Sequence, residues 1–213
     1  MYLFMTNFLI KYDTDPKKSI NSLKETVNES DILFVCVPTP MNISKKGKVE
    51  VSYIDSAISD IQACLTNNKD PLVVIKSSVP PGSLKATLKN NSNLKIVFNP
   101  EFLTERNAQL DFINSNRIVI GGKAEDCQIL YDFYRERFPY KRIITTDIQT
   151  AQFIKYMANS FFSVKISFMN EMLQMAEQLN VDWDKAQEGF ITGGRVGNSH
   201  LNVPGHDGKK GFG

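Results

Sequence analysis

Between residues 148 and 179 the chain carries neither proline nor glycine. Such a run predicts one helix, about 45 Å long at 1.5 Å rise per residue. Its middle, KYMANSFFSVKISFMNEML at 155–173, is apolar around most of its circumference, so it needs neighbours on more than one side. A small domain covers one face of a helix. The spare face predicts a partner subunit or a further domain.

Upstream the pattern is different. Short, β-branched, continuously apolar runs occur at 31–37 (DILFVCV), 72–77 (LVVIKS), 95–98 (KIVF), 117–121 (RIVIG) and 142–145 (RIIT). Runs of this kind suit parallel strands covered on both faces. FLIKYD at 8–13 is read as a strand that precedes them. Helical periodicity lies between the strands. In 52–66, Ile54, Ala57, Ile58, Ile61 and Leu65 share a face, and Ser52 with Asp55 makes a capping-box start. In about 124–137, Cys127, Leu130, Tyr131 and Tyr134 fall together. The alternation predicts an α/β fold, a partial Rossmann-type, doubly wound parallel sheet, followed by the long helix. The boundary is drawn after residue 146, giving 1–146 and 147–213. A short helix at about 183–190 and a glycine-rich tail from 193 complete the second part.

Composition narrows the function classes. Of 213 residues, 42% are hydrophobic, enough for a substantial core. The net charge is +2, with no basic block, which argues against a nucleic-acid partner. Cys36, Cys64 and Cys127 are an odd set without paired spacing and read as small core residues in a reducing cytosol. Two histidines and no C-x-x-C leave no metal site to expect. The apolar start, MYLFMTNFLIKYD, is interrupted by Asn7 and Lys11 and is too short for a membrane span. A cytoplasmic protein with no membrane partner is the expectation.

Several residues carry candidate chemistry. Glu101 and Glu105 follow the KIVF strand within NPEFLTE at 99–105. Lys155 and Asn159 stand one helical turn apart on the long helix. VPTP at 37–40 and SSVPPG at 77–82 end two strands with hydroxyls, prolines and a glycine, and ligands of open α/β folds bind at that edge. Asp13 ends the first expected strand, where an acid suits ribose hydroxyls, although Asp-Thr-Asp-Pro is also ordinary turn chemistry. No G-x-G-x-x-G is present.

VPTP, KSSVPPG, NPEFLTE, KYMANSFFSVKISFMNE, GGRVGNSH and VPG-x-DG-x-x-GFG occur in this order. Together they resemble the UDP-glucose/GDP-mannose dehydrogenase family over about residues 8–213, and the closing stretch looks most like its bacterial UDP-glucose-oxidising branch. The resemblance implies oxidation of a sugar primary alcohol to a carboxylate with two NAD, through a cysteine thioester. It implies acid/base work by Glu101 and oxyanion and water binding by Lys155 and Asn159. Ser78 would lie beside the nicotinamide, in the place of a frequent threonine. NAD would be held by Asp13, Lys18, Thr39, Ser78 and Glu105. The sugar would meet Glu101, Phe102, Leu103, Glu105, Lys155 and Asn159, together with Arg195, Gly211, Phe212 and Gly213. Arg195 would reach it across a homodimer built on the long helix 148–179; Gly193 stands where the family usually has an acid. Lys165 and Glu171 are read as structural, and His200 and His206 as polar loop residues.

The same resemblance sets the N-terminus near the second strand of the sheet and Gly213 three residues before the cysteine of G-F-G-G-x-C. It therefore implies a fragment that lacks the glycine loop, the nucleophile and the UDP-binding domain, and that is inactive by itself and weak at best toward NAD. The alternatives are GDP-mannose or a UDP-N-acetyl sugar as substrate, a β-hydroxyacid dehydrogenase relative, and a non-catalytic subunit that associates through the helix.

Overall fold

The computed structural model describes residues 10–42, 48–66, 68–103, 107–197 and 199–203. Glu105, His206, Gly211, Phe212 and Gly213 lie outside the described residues, as does the start of the strand expected at 8–13. The chain forms two compact units, Met1–Tyr156 and Met157–Gly213.

The first unit is built on a five-stranded sheet. Its elements in chain order are α1 (Leu23–Glu29), β1 (Ile32–Val35), β2 (Met41–Asn42), β3 (Lys48–Val49), α2 (Ser52–Cys64), β4 (Leu72–Ile75), α3 (Lys85–Asn90), β5 (Lys95–Phe98), α4 (Ala108–Asn114), β6 (Arg117–Gly121), α5 (Ala124–Arg137) and β7 (Arg142–Thr146). The sheet order is β1-β4-β5-β6-β7, and β2 pairs with β3 as a separate two-stranded ribbon. β4 is buried along its whole length, as its LVVI sequence requires of a strand between two helical layers. One layer packs Ile54, Ile58 and Ile61 of α2 and Val27 of α1 against Val73, Ile75 and Phe98. The other packs Cys127, Leu130 and Tyr134 of α5 against Val74, Val97 and Ile120. The sheet is thus doubly wound.

Four expectations change. The sheet is not wholly parallel: β5 and β6 run antiparallel and meet at Phe98 opposite Gly121. Among the described residues the connection between them holds one short helix, α4, Ala108–Asn114. Residues 10–13 form no strand. The Lys11 carbonyl instead accepts the N–H groups of Ile20 and Asn21, closing a local loop. Ser52 makes no capping box, because Val51 is the cap of α2 and the Asp55 carboxylate accepts the Thr87 hydroxyl at 2.6 Å. The capping box of this unit is at α1, where Ser22 and Glu25 satisfy each other's backbone N–H. Cys36 is exposed at the end of β1 rather than buried, whereas Cys127 is in the core.

The long helix α6 runs from Ile148 to Leu179, the span that its lack of proline and glycine requires. Asp147 caps it: its carboxylate accepts the Thr150 N–H at 2.9 Å and the Thr150 hydroxyl at 2.5 Å. Those bonds hold the Asp147 carboxyl below its ordinary range. In the second unit, α7 (Trp183–Thr192) follows. Met169, Leu201 and Val203 form a small core there, joined by Leu173, Trp183 and Ile191. Lys165 donates to the carbonyls of Gly197 at 2.8 Å and Ser199 at 2.5 Å, which is structural work. His200 is half-buried and stacked on Phe162 at 4.0 Å, so it is more than a polar loop residue.

Candidate active site

In an open α/β sheet the strand ends leave backbone groups and short side chains at one edge. Here β1 and β4 are parallel, with Val35 beside Ile75, so their two following loops leave side by side. Ser77 stitches them: its hydroxyl donates to the Val37 carbonyl at 2.7 Å and accepts the Val37 N–H at 2.9 Å. One residue on, the Thr39 hydroxyl donates to the Ser78 carbonyl at 2.8 Å. Thr39 and Ser78, predicted apart in sequence, are thereby brought together, both half-buried.

The loop then turns at Gly82, whose φ of +81° is a conformation that suits glycine. Gln152, fully buried on α6, accepts the Gly82 N–H at 2.9 Å. This bond ties the first turns of α6 to the strand-end loop. Gly121 permits the same helix to approach: a Cβ there would lie 2.6 Å from the Ala151 Cβ and 2.8 Å from the Asp147 carbonyl.

One turn beyond Gln152, Lys155 points back at the loop after β5. Its ammonium lies 3.1 Å from the Glu101 carboxylate; the Lys155 side chain is 8% exposed and that of Glu101 30%. The other Glu101 oxygen accepts the Leu103 N–H at 2.6 Å, so the carboxylate is fixed at both oxygens. Phe102 supports the pair: it packs against the core, with the Arg117 guanidinium 4.3 Å and the Lys155 ammonium 5.5 Å from its ring centre. Phe102 and Leu103 are both half-buried.

Lys76 opens the KSSVPPG motif and carries none of the expected roles. This lysine is buried, donates to the Asn99 side-chain carbonyl at 2.9 Å, and shares that oxygen with the Tyr134 hydroxyl at 2.7 Å. The Asn99 amide donates in turn to the Val119 carbonyl at 2.6 Å. Burial pushes the Lys76 ammonium down to about 8, opposed by Cys36 and Glu101 and assisted by Lys155. Lys76, Asn99, Glu101, Phe102, Phe112 and Arg117 line one small cleft. A lysine inside a run otherwise read as fully buried was the signal available in the sequence.

The remaining expected residues lie elsewhere. Asp13 accepts the Asp15 N–H at 2.9 Å and Lys18 pairs with Asp15 at 3.5 Å, so both belong to a local turn. Asn159, half-buried, follows Lys155 by one turn of α6 and belongs to the second unit, as does the exposed Arg195. The described residues contain no cluster that could hold a metal ion. Among them no helix is long and apolar enough to cross a membrane.

Strand-end loops with paired hydroxyls, in the same unit as a half-buried ammonium–carboxylate pair, are the marks of a dinucleotide-binding α/β domain. Comparison makes this specific. Residues 11–138 match the NAD binding domain of the UDP-glucose/GDP-mannose dehydrogenase family, and residues 149–209 match its central domain. The chain belongs to that family. It is 37% identical over 191 residues to the UDP-glucose 6-dehydrogenase of Rickettsia bellii, covering 86% of this chain and 43% of that protein. The chain thus spans less than half the length of such relatives. Among solved structures it is similar to a UDP-glucose dehydrogenase from Pyrobaculum islandicum, with TM-score 0.74, 30% identity, and 86% of this chain and 44% of that one covered. It is equally similar in fold to a GDP-mannose dehydrogenase from Pseudomonas aeruginosa, with TM-score 0.74, 26% identity, and 87% and 44% covered.

Proposed function

We propose that this chain supplies the NAD-binding part and the carboxylate–ammonium pair of an enzyme that oxidises UDP-glucose to UDP-glucuronate. The observation that carries the reading is the Lys155–Glu101 contact of 3.1 Å, held between the start of α6 and the loop after β5. NAD, when bound, supplies the hydride acceptor. Half-buried Thr39 and Ser78 at adjoining strand ends fit it, and Asp13 and Lys18, on a local turn of the same unit, join the cofactor set by resemblance. Glu105 belongs to the same cofactor set by resemblance.

The residues divide the work by their chemistry. Lys155 is a fixed cation, and a fixed cation stabilises an oxygen that becomes anionic as a sugar carbon turns tetrahedral. Glu101 is an acceptor within reach of that cation, able to take a proton from water attacking an acyl group. Asn159, one turn along, adds a neutral donor. Phe102 and Leu103 shape the loop against which the sugar rests. Arg195, Gly211, Phe212 and Gly213 complete the sugar contacts, with Arg195 donated by the second copy of a homodimer.

A thioester forms when a thiolate adds to the sugar aldehyde and a second hydride leaves for NAD, and none of the three thiols present suits the role. Burial pushes Cys127 up to about 11. Cys64, the last residue of α2, packs against the core. Cys36 presents surface to solvent, yet the protein around it raises its thiol against the pull of Lys76. The 213 residues by themselves therefore form no uronate.

The test is a chimera in which residues 11–209 replace the matching segment of the Rickettsia bellii enzyme. Two NADH formed per UDP-glucose by the chimera supports the reading. A folded chimera that forms no NADH leaves the association-subunit reading standing.

A further inference from the structure

Lys76 stands outside every role assigned above, although it lies at the centre of the site's polar network. We propose that Lys76 is a positioning residue: its buried ammonium holds Asn99, and through Asn99 the turn that sets Glu101 against Lys155, so that the turn responds to the charge on Lys76. The proposal rests on reading Glu101 as a reacting group, but its test needs no turnover.

The connection is short. Asn99 is two residues before Glu101 in a turn whose far end, the Leu103 N–H, is held by the Glu101 carboxylate at 2.6 Å. The Asn99 side chain is fixed at three points, by Lys76, by Tyr134 and by the Val119 carbonyl. The first of these is charge-assisted, and such bonds are roughly twice as strong as neutral ones. When Lys76 loses its proton, that bond weakens while the other two stay. The charge around Glu101 changes as well. With Lys76 and Lys155 both cationic, the three groups carry one net positive charge; with Lys76 neutral they carry none. A surplus cation favours an anionic reacting centre.

Groups face Lys76 from every element around it. Cys36 comes from the end of β1, Glu101 from the β5 loop, Tyr134 from α5 and Lys155 from α6. The Phe112 ring of α4 lies 5.9 Å from its ammonium, and Arg117 of β6 lines the same cleft. The sign of each coupling follows from charge. An acid beside an ammonium keeps its proton on, and a second cation drives it off.

The experiment is an NMR titration of the 213-residue chain, with the Lys76 side chain labelled at Cε and the Leu103 amide followed in parallel. A Lys76 transition near pH 8, matched by a shift of the Leu103 amide with the same midpoint, is expected. Glu101→Gln should lower that midpoint and Lys155→Met should raise it, each by roughly half a unit or more. Lys76→Arg, which keeps its charge throughout, should abolish the Leu103 transition. Should an individual variant not fold, the wild-type titration and the other substitutions still decide. A Leu103 amide that ignores the Lys76 transition would reduce Lys76 to a buried structural lysine, as would a midpoint unmoved in both charge variants. Loss of dehydrogenase activity in the chimera would leave this result untouched, so the two readings fail separately.

Discussion

Gln152 on α6 accepts the backbone N–H of Gly82 at 2.9 Å, and its amide lies 3.4 Å from the Ser83 hydroxyl. One buried side chain therefore fixes both the strand-end loop that carries Ser78 and the helix that carries Lys155. Gln152→Leu keeps the volume and leaves the Gly82 N–H without its acceptor. It should cost about 1–3 kcal/mol, read as a lower urea midpoint at unchanged m-value. An unchanged midpoint would mean that the loop holds its shape without the helix.

Two glycines should respond with opposite sign. Gly121→Ala places a methyl within 2.9 Å of the Ile148 Cα and closer still to Ala151. Backbone cannot yield as a side chain does, so a loss of about 1–3 kcal/mol is expected. Gly189 lies within α7 with open space where a Cβ would stand. Gly189→Ala should stabilise that helix by about 0.5–1 kcal/mol. Thermal unfolding of both variants, followed by circular dichroism, checks the pair of signs.

The pH dependence of stability follows from Lys76. Its folded pKa of about 8 lies below the ordinary value of 10.5. Between these values the unfolded chain binds more protons, so unfolding free energy rises with pH across that window. Below pH 8 the buried ammonium is destabilising, and above 10.5 that cost is gone. Relative to Lys76→Met, the wild-type chain should gain on the order of 3 kcal/mol from pH 8 to 10.5. Burial raises the Tyr134 hydroxyl and acts in the opposite sense at high pH, but it is present in both proteins and cancels. A difference between the two that stays flat across the window would contradict the burial of a charge at this position.

Most of the exposed apolar side chains of α6 share one stripe. Phe153, Met157, Phe161, Val164, Phe168, Met175 and Leu179 recur at helical spacing, with Phe161 60% and Val164 63% exposed. Soluble monomers rarely leave such a stripe uncovered. A second copy is the expected cover, since two-fold dimers are the commonest oligomers. Sedimentation at micromolar concentration should show a dimer, and Phe161→Glu with Val164→Lys should convert it to a monomer. A monomer from the start, with its helicity intact, would refute this.

The parts of the fold set by local rules were legible in the sequence. The limits of α6 followed from where proline and glycine are missing, and α5 from the spacing of Cys127, Leu130 and Tyr134. The errors came from choices made by tertiary structure. Ser52-x-x-Asp55 and Ser22-x-x-Glu25 look alike as caps, but Thr87 engages Asp55 and leaves only the second pair free. The antiparallel meeting of Phe98 and Gly121 depends on the path between β5 and β6, which apolar periodicity does not encode. Within the site, Glu101 and Lys155 are 54 residues apart, and the motif pattern named both before the fold joined them. Lys76 was missed because a lysine at the end of an apolar strand reads as a solvated tail; only the Asn99 and Tyr134 side chains facing it show that it is buried.

The central claim is that Glu101 and Lys155 are a working pair in the oxidation of a nucleotide sugar. Pre-steady-state NADH formation by the chimera carrying Glu101→Gln tests it most directly. If Glu101 activates the water that releases the acyl group, the variant should still form NADH in a burst of about two per site. Steady-state turnover should fall by roughly 100-fold or more. A Glu101→Gln chimera that turns over UDP-glucose at the unsubstituted rate would contradict the account.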